Sequence, residues 1–140
     1  MTNPLPRLPQ WRARFSSYLI ACAFTPFEDG VHDCALFLAS GVEAQTGVDF
    51  AAPFRGKYST AKGAVRALKR YGAGDLASTI AAALPEIDPG DASHGDAVIF
   101  DQPNGLTCGF VLPSNIVSLS PNGLRYPSKD VVERAFKVGL

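Results

Sequence analysis

The chain has 140 residues, 46% of them hydrophobic and 19% charged, the proportions of one ordinary globular domain. Thirteen basic and thirteen acidic residues cancel, so no global field draws nucleic acid or an anionic membrane, and neither partner is expected. Three cysteines with no CxxC pair argue against a zinc ribbon or a CxxC redox motif, and predict three free thiols in a reducing compartment.

Residues 1–9 hold three prolines and an arginine, and read as an extended or disordered arm ahead of a single domain over residues 10–140. No apolar core of a signal peptide is read there, so synthesis in the cytoplasm is expected. The longest apolar stretches are too short to span a bilayer, which predicts no membrane insertion.

Trp11, Phe15, Tyr18, Leu19 and Cys22 recur at helical spacing and predict an amphipathic helix over residues 10–23. Pro26 and Gly30 break it. A second helix is expected over 33–45, with Asp33 as N-cap and Gly47 as its stop. Ser59 or Thr60 caps a third over 61–71, whose Lys62, Arg66, Lys69 and Arg70 make a basic, solvated face. A short fourth helix over 75–84 follows, then a loop over 85–95. Strands are expected at 97–100, 106–112 and 116–119, separated by Pro103-Asn104-Gly105, Pro113-Ser114-Asn115 and Pro121-Asn122-Gly123. Ser128 caps a short helix over 129–134, and 135–138 returns as a strand. Helices first and an antiparallel meander afterwards predict an α+β domain.

His32-Asp33-Cys34 is the segment richest in chemistry. A thiol at a helix start meets unpaired N–H groups and the positive end of the helix dipole, which favour a thiolate nucleophile. Core packing is the plain alternative, because cysteine is among the residues most often buried. Cys22, Cys34, Cys108, His32 and His94 match no common ligand spacing, so no metal and no cofactor is expected.

Asp33-Cys34 opening a helix, followed later by Gly95-Asp96 and the apolar run Ala97-Val98-Ile99-Phe100, resembles the NlpC-type cell-wall peptidases, a branch of the papain-like fold. A narrower resemblance covers almost the whole chain. Gly30-Val31-His32-Asp33-Cys34, Arg55-Gly56-Lys57-Tyr58-Ser59-Thr60 and Asn122-Gly123-Leu124-Arg125-Tyr126-Pro127 are similar to a short NlpC-like family in tail modules of tailed phages, prophages and gene transfer agents. The resemblance implies a cysteine at a helix start packed on a small antiparallel sheet, with Cys34 as nucleophile.

It also implies a histidine at the start of the strand after the Gly-Asp strand, where this chain has Thr107 in Thr107-Cys108-Gly109-Phe110. Threonine is no general base near neutral pH. The third polar position falls around Ser118 or Ser120. His32 and His94 are the substitute bases: His32 lies two residues before the thiol, His94 at the far end of the Gly-Asp strand. The expected function is therefore a structural tail-tip or hub component of a virion with a degenerate catalytic site. Its partners are other tail proteins, docked through the N-terminal arm and loop residues Phe24, Phe27, Phe50 and Phe54, for which core filling is the simpler account. The alternative is an active cysteine peptidase that cuts peptidoglycan peptides, with its oxyanion held by the Cys34 N–H and a nearby donor. An unrelated small-molecule binding domain is a third reading.

Overall fold

The computed structural model describes residues 5–103 and 105–140. Among them the fold is α+β, with four α-helices followed by one antiparallel sheet of six strands. The helices are α1 (Trp11–Cys22), α2 (Cys34–Thr46), α3 (Ala61–Tyr71) and α4 (Leu76–Ala83). The strands are β1 (Glu86–Ile87), β2 (Ala97–Gln102), β3 (Gly105–Val111), β4 (Ile116–Ser120), β5 (Gly123–Arg125) and β6 (Val132–Phe136). Their spatial order is β1-β6-β2-β3-β4-β5. No helix among the described residues is long and apolar enough to cross a membrane.

Local chemistry explains the helix ends. Asp33, Thr60 and Asp75 each accept a backbone N–H three residues on, from Leu36, Gly63 and Ser78. Gly47 ends α2 in the left-handed region at φ 81°, where a side chain is costly. The predicted stripe on α1 is real: Phe15 and Cys22 are buried, and Trp11, Tyr18 and Leu19 pack against the same core.

That core lies between α1, α2 and one face of the sheet. Phe37, Leu38 and Val42 of α2 meet Ala97, Ile99, Cys108, Phe110, Val117 and Phe136. Cys108 and Phe110 are two residues apart on β3, so both point at α2. The opposite face buries Val98, Phe100, Val111, Ile116 and Ala135. Two buried faces account for the continuous apolar run of β2.

Three expectations are corrected. The segment 129–134 is not a helix: only a 3-10 turn, Lys129–Val131, follows the Ser128 cap, and β6 starts at Val132. β-branched Val132 and buried Ala135 and Phe136 gain more from pairing with β2 than from a helical turn. The loop over 85–95 contains β1 and a 3-10 turn at Pro89–Asp91. A two-residue strand exists through its partner β6, a pairing with no local sequence signal. β5 is the third addition, formed because Pro121-Asn122 is a two-residue turn that pairs Ser120 with Gly123. In the matching turn between β2 and β3, Gln102 pairs with Gly105, and Asn104 lies outside the described residues.

The described part of the N-terminal arm folds onto its own domain. Leu5 pairs with Gly139, the Leu8 N–H donates to the Gln45 carbonyl, and Arg7 reaches buried Asp96. Residues 1–4 of the expected arm lie outside the described residues. Phe54 is core, Phe27 and Phe50 pack at its edge, and Phe24 is exposed.

Candidate functional site

Cys34 is the first residue of α2 and is partly exposed. Its neighbour Asp33 is buried and fully engaged: its carboxylate accepts the N–H of Leu36 and the N–H of Gly30, each at 2.9 Å. The Tyr58 hydroxyl donates to the same carboxylate. Burial and Asp33 together push the Tyr58 phenol well above its ordinary value, so it remains a donor. Gly30 closes this arrangement. Its φ is +82°, and a Cβ there would stand 1.9 Å from the Tyr58 carbonyl oxygen. The Gly30 carbonyl in turn accepts the Gly56 N–H. The segments around Gly30–Cys34 and Arg55–Tyr58 thus form one unit that fixes the entry of α2.

The Cys34 sulfur faces donors. Its thiol lies below its ordinary value, chiefly because the Cys108 thiol donates to it; burial and the Asp33 charge oppose this, while the Thr107 hydroxyl and Ala35 N–H assist. Cys108 moves the other way, well above its ordinary value, because the Cys34 sulfur beside it and complete burial both disfavour its thiolate. The inner sulfur thus holds its proton more tightly than the outer one, and Cys34 is the more readily ionised of the two. The Cys108 S–H has a second acceptor in the Cys34 carbonyl oxygen, at 3.2 Å. A single proton serves one acceptor at a time, so the thiolate is fully supported only when the S–H turns toward it.

Neither histidine is among the groups that shift this thiol. The extended backbone of Asp33 (φ −121°, ψ −178°) sends the side chains of residues 32 and 34 to the same side. Yet the His32 Nε2 is buried with no hydrogen-bond partner, and the ring meets Phe37 edge-on. Burial lowers its basicity, against a small opposite pull from Asp33. His94 lies at the other end of α2. The adjoining Gly95 carbonyl accepts the amide N–H of Gln45, eleven residues beyond Cys34, about 16 Å along a helix axis. The His94 ring packs on Trp11 and Phe15. Burial lowers its basicity first, then the charges of Arg12, Arg7 and Lys129.

The remaining polar positions are engaged elsewhere. Ser118 is buried and pairs with Gly109, and the Ser120 hydroxyl donates to the Gly123 carbonyl. The Gly95-Asp96 motif is an anchor. Asp96 is fully buried and binds Arg7, Lys137, the Val138 N–H and both the N–H and hydroxyl of Ser93. The residues missed in the sequence are Cys108 and Tyr58. Cys108 was readable from strand alternation, because the apolar Phe110 two residues on marks which face meets the helix. Tyr58 lies in the Arg55–Thr60 motif quoted above, but only the tertiary fold brings it to Asp33.

No group of three or more His, Cys, Asp or Glu side chains among the described residues is placed to hold a metal ion. The class defined by this geometry is an α+β domain with a donor-supported cysteine at a helix start, packed on an antiparallel sheet. Residues 6–138 match the model of a family described as a domain of unknown function (DUF6950). The chain belongs to that family. No curated protein matches the chain.

Proposed function

We propose that the chain is a tail-tip or tail-hub component of a phage or phage-like particle, built on an NlpC-like, papain-like domain with a degenerate catalytic site. The tail-module motifs quoted above support the particle. One observation supports the degeneracy: the groups that shift the Cys34 thiol are Cys108, Asp33, Thr107 and the Ala35 N–H, and none is an imidazole. A peptidase needs a base that later protonates the leaving amine, an assistance worth about 10²–10⁴-fold. The Cys108 thiol cannot take that part, because its proton is held more tightly than an ordinary thiol's.

The test pairs purified protein with peptidoglycan fragments, beside Cys34→Ala, His32→Ala and His94→Ala. Release of peptides is expected to equal the Cys34→Ala background in every case. Cleavage that disappears with Cys34 and with one histidine overturns the proposal. For the particle, mass spectrometry of purified tails is expected to find the chain at fixed stoichiometry, and its absence from them refutes that part.

The second reading, an active cysteine peptidase acting on peptidoglycan peptides, is favoured by one feature. Cys34 is partly exposed and its thiol is depressed, as a nucleophile requires.

A further inference from the structure

We propose that Cys34 and Cys108 are an oxidisable pair: a peroxide converts Cys34 to a sulfenic acid, and Cys108 closes it to a disulfide joining the start of α2 to β3. The two residues are 74 apart in sequence, so no spacing motif announces them. The fold sets the Cys108 sulfur 3.2 Å from the Cys34 carbonyl oxygen. A carbonyl oxygen lies about 2.4 Å from its own Cα, so the Cys108 sulfur is within about 6 Å of the Cys34 Cα. The Cys108 sulfur thus lies against the residue that carries the other thiol, and the two thiols are hydrogen-bond partners.

Exposure divides the roles. Cys34 is partly open to solvent and meets the oxidant, whereas Cys108 is completely buried and is reached through Cys34. The thiolate-favouring surroundings of Cys34 support the first step, since the thiolate is the form that attacks peroxide. Cys22 shares the core with Cys108 but sits on α1 beside Tyr18, and burial raises its thiol.

In the first step the Cys34 thiolate attacks one peroxide oxygen. A sulfur–oxygen bond forms, the oxygen–oxygen bond breaks, and hydroxide leaves and is protonated to water. In the second step the Cys108 sulfur attacks the Cys34 sulfur. The sulfur–sulfur bond forms, the sulfur–oxygen bond breaks, and the departing hydroxide takes the Cys108 proton. Two thiols are oxidised by two electrons, and one hydrogen peroxide is reduced to two waters. No histidine takes part, so this chemistry is independent of any peptidase or tail reading.

The test treats the folded, reduced protein with hydrogen peroxide, alkylates the remaining thiols and maps peptides by mass spectrometry. The expected product has lost two hydrogens, links the peptides of Cys34 and Cys108, leaves Cys22 alkylated, and is reversed by dithiothreitol. Cys108→Ala is expected to stop at a Cys34 sulfenic acid that dimedone traps. If that variant does not fold, the wild-type map decides alone. A wild-type protein that ends with Cys34 over-oxidised and Cys108 still alkylated, with both thiols untouched, or with a bridge through Cys22 overturns the proposal.

Discussion

Tyr58 donates its hydroxyl to Asp33 across twenty-five residues of sequence, and the Asp33 charge acts on the neighbouring Cys34 thiol. The carboxylate therefore does two opposed things. It caps α2, which holds Cys34 at the positive end of the helix, and its negative charge resists ionisation of that thiol. Asp33→Asn separates them, because asparagine still accepts the Leu36 N–H but carries no charge. The pH midpoint of Cys34 alkylation by iodoacetamide is expected to fall below that of the wild type. A midpoint that rises contradicts the assignment.

Asp96 carries the second prediction. The carboxylate is fully buried and ties the N-terminal arm through Arg7 to the C-terminal segment through Lys137 and the Val138 N–H. Its removal leaves a largely buried guanidinium without its partner. Asp96→Ala is expected to lower unfolding stability by about 3–5 kcal/mol in urea titrations. A loss below about 1 kcal/mol would mark the pairs as solvent-screened.

Acid stability follows from the two histidines. Both are less basic in the folded chain than free histidine, chiefly through burial. The unfolded chain then takes up protons first as pH falls. Stability is full above the ordinary histidine value, near 6.5, and is lost as pH drops through the lowered folded values. The urea midpoint is expected to fall between pH 7.5 and 5.5, and the combined His32→Asn, His94→Asn variant to flatten that slope. A midpoint that rises on acidification contradicts the burial account.

Gly41 tests the packing that sets Cys34 against β3. A Cβ at Gly41 would stand 2.3 Å from the ring of Phe110, itself completely buried. Alanine in a helix gains about 0.5–1 kcal/mol over glycine, whereas overpacking a core costs about 1–3 kcal/mol. The clash wins, and Gly41→Ala is expected to lower the melting temperature. A rise would show that α2 and β3 sit farther apart.

The parts of the fold legible in the sequence were those encoded locally. Asp33, and Ser59 or Thr60, announced helix starts because a cap acts within three residues. The apolar run at Ala97–Phe100 announced a strand. What stayed hidden depends on distant partners: β1 exists only against β6, and Ser128 suggested a helix that pairing with β2 overrides. The site divides in the same way. Cys34 at a helix start was visible from its own neighbours. The Cys108 thiol and the Tyr58 hydroxyl enter from β3 and from the segment before α3. The distance of His94 from Cys34 follows from the Gln45–Gly95 contact at the far end of α2.

Cys34 ionises more readily than an ordinary thiol with no imidazole among the groups that shift it, and the pH profile of its alkylation reads this out. Wild type and His32→Ala are compared from pH 5 to pH 10, with incorporation at Cys34 read by peptide mass spectrometry. Superimposable curves are expected, with one midpoint below the ordinary thiol value near 8.5. A midpoint that moves upward when His32 is removed would show an imidazolium partner for the sulfur and contradict that expectation.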